Sequence, residues 1–277
     1  LQLGLLAANR TDCYCRTKRK KMNYKVAVVT GASSGIGKAI AESLAKQGVR
    51  LILIARRKDK LELLKRKLQS YTECHVIACD ITDKEKILEE IKSLPVEFSK
   101  VDVLINSAGL ALGLETAQKT EWQDWETMLN VNCLSLAYLT HLLLPGMVER
   151  NLGHIINIGS TAGTYPYKGA NVYGATKAFV EQFTLNLKAD LLGTAVRVTN
   201  IEPAMVGDSE FSLVRFKGDK DKANEVYEGL KPLCPADISE CAIWVLLQPA
   251  HVNINRIEMM PTSQAPSHLA VSKKSLA

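Results

Sequence analysis

What most limits the folding of this 277-residue chain is a regular alternation, from Tyr24 onward, of short β-branched runs with longer segments of helical period. The runs at 25–30, 51–54, 75–79, 101–105, 154–158, 196–201 and 255–259 predict seven strands. Most are continuously apolar, the pattern of parallel strands buried on both faces. Helices are expected between them at 37–47, ending at Gly48, at 59–69, and at 83–94, which opens on a capping Asp83 and stops before Pro95. Further helices are expected at 120–150, broken near Pro145, at 173–192 and at 237–247. This order predicts an α/β chain with a single-domain Rossmann fold: a doubly wound seven-stranded parallel sheet with helices on both faces. No linker-like stretch or solenoid-period repeat divides residues 22–277. Residues 203–232 show no clear periodicity and are too long for an ordinary connection, so a substrate loop or lid is expected there.

Charge needs a location before it has a meaning. Six of the 35 basic side chains, and only one acid, lie in residues 1–21, so the other 29 basic and 28 acidic residues nearly balance the net +6 away. A basic excess confined to one end gives no nucleic-acid face to the body. Residues 1–21 are expected to be upstream, non-native or disordered sequence, with Met22 as the natural start. A targeting signal is the alternative, but the apolar stretch 1–8 precedes the charges, the reverse of a secretory leader. No run of consecutive apolar residues reaches the about 18 needed to span a bilayer, so no membrane partner is expected. The seven cysteines (Cys13, Cys15, Cys74, Cys79, Cys133, Cys234 and Cys241) form no C-x-x-C pair and no zinc spacing. They are read as reduced thiols of a cytoplasmic protein with no metal site.

The first strand runs into Thr30-Gly31-Ala32-Ser33-Ser34-Gly35-Ile36-Gly37 and then directly into a helix. Glycines there allow a tight turn and let backbone amides approach a pyrophosphate at the positive end of the helix. The spacing is G-x-x-x-G-x-G, and the strand-before, helix-after context of a dinucleotide site is met. The second strand ends in Ala55-Arg56-Arg57, where an NAD site would place an acid for the ribose 2′-hydroxyl. Two guanidinium groups suit a 2′-phosphate, so the cofactor is expected to be NADP, the alternative being a solvated basic start to the next helix. Asp80-Ile81 and Asn106-Ser107 follow the third and fourth strands, where ligands of such sheets bind. Asp80 suits either the adenine edge or a helix cap.

Tyr173 and Lys177 stand four residues apart at the start of a predicted helix, on one face, where the ammonium would favour the phenolate. Ser160, after the fifth strand, could hold a carbonyl or alkoxide oxygen beside Tyr173 while a hydride passes to or from the cofactor. Together with the glycine loop and Asn106-Ser-Ala-Gly109, these residues resemble the short-chain dehydrogenase/reductase family over essentially residues 22–277. Within it, Gly109-Leu-Ala-Leu-Gly113, Leu144-Pro-Gly-Met-Val-Glu-Arg150, His154-Ile-Ile-Asn-Ile-Gly-Ser-Thr-Ala-Gly163, Val172-Tyr-Gly-Ala-Thr-Lys-Ala-Phe179, Glu210-Phe-Ser-Leu-Val-Arg-Phe-Lys-Gly-Asp219 and His251-Val-Asn-Ile-Asn255 resemble the NADP-dependent 3-hydroxy acid dehydrogenases, also described as serine or allo-threonine dehydrogenases.

The resemblance implies that Tyr173 is the general acid/base, that Lys177 binds the nicotinamide ribose and lowers the tyrosine pKa, and that Ser160 binds the substrate oxygen. It implies a fourth catalytic residue at Asn132, serving a water relay to the lysine, with Asn130 as the competing choice. It also implies that the segment from Pro203 through Val206 and Gly207 to Phe211 closes over the nicotinamide, and that helices near Asn132 and Tyr173 form a homotetramer contact. Two departures, Ser107 for the usual second Asn and Pro203-Ala204 for the usual Pro-Gly, bear on cofactor affinity. The expected reaction is reversible oxidation of the 3-hydroxyl of a small hydroxy acid, with Arg215 either gripping the carboxylate or standing as a solvated lid residue. The second reading is a reductase of another carbonyl, a ketoacyl thioester or dicarbonyl; the third is a non-catalytic NADP-binding sensor.

Overall fold

A computed structural model describes residues 22–266. The expectations for residues 1–21, Cys13 and Cys15 included, lie outside the described residues.

Seven strands, β1 (Val26–Thr30), β2 (Arg50–Ala55), β3 (Cys74–Ala78), β4 (Val103–Asn106), β5 (Gly153–Ile158), β6 (Val196–Pro203) and β7 (Arg256–Met259), form one sheet in the order β3-β2-β1-β4-β5-β6-β7. Every pairing is parallel. Strand period sorts the core. Ala27 and Val29 of β1 face one layer with α1 (Gly35–Lys46), α2 (Lys58–Leu68) and α9 (Pro235–Leu246), through residues such as Leu44, Leu64 and Val245. Val26 and Val28 face the other, with Ile87 of α3 (Lys84–Lys92), Leu139 and Met147 of α5 (Ser135–Glu149) and Leu187 of α6 (Asn171–Asp190). Burial on both faces is why the strands read as unbroken apolar runs.

The expected break near Pro145 does not occur: Pro145 lies inside α5, exposed, four residues before the helix ends at Glu149. A proline forfeits the amide bond to the carbonyl four residues back; here that residue, His141, is also exposed, so water can take the carbonyl. The departure from α pitch falls earlier, at a π-helical turn, Asn130–Leu134, between α4 (Trp122–Leu129) and α5. The run from Trp122 to Glu149 is long and apolar enough to cross a bilayer by length and composition alone. Its Met128, Leu139, Leu143 and Met147 are buried in the core, as in the core helix of a folded α/β layer.

The order reverses between β1 and β4, opening a crevice beyond the carboxyl ends of those strands. Thr30 pins its floor, its hydroxyl accepting from the amides of Ser107 (3.0 Å) and Ala108 (2.9 Å). Gly31, at φ +66°, passes so close that a β-carbon there would lie 3.0 Å from the Ser107 carbonyl. The expected loop over 203–232 contains two short helices, α7 (Phe211–Arg215) and α8 (Lys220–Glu225), each too brief to show a period in sequence. It is fastened at both ends, by Ala204 N–H to the Met259 carbonyl (2.8 Å) and Gly207 N–H to the Leu233 carbonyl (2.8 Å). Ala204 therefore makes its strand-end bond without the glycine usual in the family.

Candidate active site

A cavity of about 1010 Å³ runs along this crevice from Arg56 and Arg57 at one end to Ser160 and Tyr173 at the other. Of the residues expected to hold a cofactor, Gly31, Ser33, Ser34, Gly35, Ile36, Gly37, Arg56, Arg57, Asp80, Ile81, Ser107, Tyr173, Lys177, Pro203 and Val206 line it. The residues present fit a dinucleotide. Ser34, the residue before α1, makes no capping side-chain bond and the first turn holds no acid, so its amides are left to an anion in the cavity.

Three expected residues do not line the cavity. Asn106 is buried, its amide donating to the Asn157 side chain (2.8 Å) and the Thr140 hydroxyl (3.2 Å), because strand period turns position 106 toward the α5 layer. Gly207 is buried against Pro232. Asn132 sits in the π turn, its side chain closing on both backbone groups of Leu110 (2.9 and 2.8 Å) and on the Thr176 hydroxyl (3.0 Å). These bonds tie the loop after β4 to α6. Asn130, the competing choice, does line the cavity. Asp80 does not cap α3, which Asp83 caps through the Lys86 amide; it closes the turn before that helix, accepting from the amide and hydroxyl of Thr82 (2.9 and 2.7 Å), and lines the cavity.

Ser160 lies two residues past the end of β5, and the turn it opens packs tightly on α6: a β-carbon at Gly163 would lie 2.8 Å from the Lys177 carbonyl carbon. That contact sets Ser160 beside Tyr173. Both Tyr173 and Lys177 are buried, as the four-residue spacing implied. Burial pushes the Tyr173 phenol up to about 12, with hydrogen bonding by Ser160 and the charge of Arg215 acting the other way. Burial also brings the Lys177 ammonium down to about 8. Its Nζ donates to the Ile158 carbonyl at 2.8 Å.

Arg215 reaches in from α7. Its guanidinium lies 5.5 Å from the Tyr167 ring centroid and 5.6 Å from that of Tyr173, donating to the Gly113 carbonyl (3.1 Å) and the Tyr167 hydroxyl (2.8 Å). Phe211, also on α7, covers Tyr173 at 5.8 Å between ring centroids. Tyr167 and Gln264 are cavity residues that sequence reasoning missed, while Glu210 and Phe211 line it at the end of the expected closing segment. The aromatic residue at 167, between two of the quoted motifs, was the available signal for the first. Gln264, which accepts from the Met205 amide at 3.2 Å, lies in a stretch without periodicity and gave none.

At the adenosine end, Arg57 donates to the Ser33 hydroxyl (2.9 Å) and the Ser34 hydroxyl (3.0 Å), so it sits over the glycine loop, while Arg56 stays exposed. No group of three or more potential metal ligands occurs among the described residues.

Comparison with known proteins agrees with this geometry. The profile of the family described as short chain dehydrogenase matches residues 25–216. The chain is 52% identical over 249 residues, 90% of its length and 100% of the relative, to the NADP-dependent 3-hydroxy acid dehydrogenase YdfG of Escherichia coli O6:H1. It is 45% identical over 244 residues, 88% of its length and 96% of the relative, to a sulfoacetaldehyde reductase of Chromohalobacter salexigens. Among solved structures it resembles the closed form of a serine dehydrogenase complexed with NADP+, with a TM-score of 0.87 and 51% identity, covering 90% of this chain and 100% of that one.

Proposed function

Because the chain belongs to the short-chain dehydrogenase family and is an NADP-dependent dehydrogenase of hydroxyl groups, we propose that its substrate is a small acid carrying a 3-hydroxyl, of the serine, allo-threonine or 3-hydroxyisobutyrate type. The observation that carries this reading is Arg215, a cation fixed between Tyr167 and Tyr173 in the same cavity as Ser160. Two of its nitrogens are engaged by Gly113 and Tyr167, which fixes its direction, and it stays part of the cavity wall. An anionic substrate held there presents a carbon a short distance away to Ser160 and Tyr173.

In oxidation, Ser160 holds the substrate oxygen and Tyr173, as phenolate, takes its proton; in reduction Tyr173 returns it. NADP, when bound, supplies the hydride acceptor, and its NADPH form the donor. Lys177 positions the ribose side of the site and carries positive charge near the tyrosine. Asn132 holds the Leu110 backbone against α6, keeping the wall opposite Lys177 in place.

The second reading, a reductase of another small carbonyl, is favoured by the 45% identity to a sulfoacetaldehyde reductase. The two readings share chemistry: a sulfonate and a carboxylate each stand two carbons from the reacting oxygen, and Arg215 suits both. Initial rates with NADP(H) decide between them, measured on serine, allo-threonine, 3-hydroxyisobutyrate, 2-hydroxyethanesulfonate, a dicarbonyl and an uncharged alcohol of equal size. Highest kcat/KM on a 3-hydroxy acid supports the first reading. A preference for the sulfonate or the dicarbonyl supports the second, and no turnover supports a sensor. Exposed Leu134, Phe179 and Leu185 near the expected contact helices support a homotetramer, which light scattering tests. The free thiols of Cys74, Cys79, Cys133, Cys234 and Cys241 support a cytoplasmic setting, which fractionation tests.

A further inference from the structure

Glu210, the residue before α7, reaches across the cavity mouth to the adenosine end. Its carboxylate pairs with Arg57 Nη1 at 2.7 Å and with Lys60 Nζ at 2.7 Å. The other side of the same guanidinium donates to Ser33 and Ser34 of the glycine loop. Each of the three guanidinium nitrogens of Arg57 thus has a partner, and the group facing Nη1 is an anion supplied by the lid. A 2′-phosphate brings a second anion to that place. Two anions sharing one guanidinium repel each other, so the carboxylate must withdraw or the phosphate bind more weakly.

We propose that Glu210 is a cofactor-specificity residue, an internal counter-ion that holds Arg57 and Lys60 until a 2′-phosphate takes them. This rests on the reading that Arg57 binds that phosphate. A cofactor without the phosphate leaves the pairs intact, so Glu210 lessens the difference between NADP and NAD. Both partners of the Arg57 pair are more than one-third exposed, 39% and 38%, which keeps the effect modest. Lys60, held by the same carboxylate, becomes part of the phosphate site.

The test is calorimetric binding of adenosine 2′,5′-bisphosphate and of 5′-AMP to the wild-type chain and to Glu210→Gln, with Glu210→Asp as a second variant. Glu210→Gln is expected to bind the bisphosphate about three- to tenfold more tightly, with AMP unchanged and Glu210→Asp in between. The kcat/KM ratio of NADP to NAD rises by the same factor. Equal or weaker bisphosphate binding by Glu210→Gln, with the wild type still preferring bisphosphate over AMP, overturns the proposal. A wild type that binds the two nucleotides equally overturns the phosphate reading of Arg57 instead.

Discussion

The Lys177 ammonium lies 5.9 Å from the centroid of the Tyr173 ring, held there by the Ile158 carbonyl. The spacing in sequence implied a cation favouring the phenolate; in the structure burial dominates both groups, raising the phenol and lowering the ammonium. A buried tyrosine and a buried lysine side by side are costly unless a ligand completes their surroundings, which is what a site built for catalysis requires.

With the phenol pushed up to about 12, the base form of Tyr173 is scarce at neutral pH, so the oxidation rate should climb with pH while the reduction rate, which uses the protonated phenol, stays level until the pH nears 12. Tyr173→Phe removes the proton carrier, and kcat should fall by about 10²–10⁴-fold while NADPH binding, followed by fluorescence, changes little. Retained turnover in the variant would place the acid/base elsewhere.

Lys177 is depressed from 10.5 to about 8 on folding, so the unfolded chain binds this proton more tightly. That penalty is fully present below pH 8 and is relieved as pH rises from 8 toward 10.5. Lys177→Met should therefore raise stability at pH 7 by about 2 kcal/mol, after allowing for the bond lost to Ile158, and the gain should vanish near pH 10.5. Chemical denaturation at both pH values reads this; a gain independent of pH would point to packing alone.

If Arg215 grips an anion, Arg215→Ala should lower kcat/KM for 3-hydroxy acids by about 10- to 100-fold more than for an uncharged alcohol. Because its charge also favours the phenolate, the alkaline rise of the oxidation profile should move to higher pH. Equal losses on both substrates, with no shift, would leave Arg215 as a wall residue.

Arg57, seated over Ser33 and Ser34, should matter more to NADP than exposed Arg56. Arg57→Ala should raise the KM for NADP by about 10- to 100-fold with little change for NAD. Arg56→Asp should shift preference toward NAD by a smaller factor. The order of the two effects, read from KM ratios, is the check.

Strand positions were legible because parallel strands buried on both faces leave continuous apolar runs, and the glycine loop because a β-carbon at Gly31 would lie 3.0 Å from the Ser107 carbonyl. Ser160, Tyr173 and Lys177 were legible as a spacing on one helix and one strand end. Asn106 was misplaced in the cavity although alternation along β4 already turned it away: Val103 and Ile105 pack in one layer and Leu104 in the other, with which Asn106 shares a face. The π turn at Asn130–Leu134 and the Glu210 bridge were not legible, since each depends on partners 22 or more residues distant in the chain. Pro145 misled because its solvent-facing position, which makes a proline tolerable in a helix, depends on how α5 is laid against the sheet.

The most direct test of hydride transfer from the substrate's third carbon uses the 3-hydroxy acid of highest kcat/KM, deuterated at C3, with NADP as acceptor. Mass spectrometry of the reduced cofactor should find one deuterium per molecule, and Tyr173→Phe should form almost none of it. Reduced cofactor free of deuterium, or label appearing at the wild-type rate in Tyr173→Phe, would contradict the assignment of C3 as hydride donor or of Tyr173 as its base.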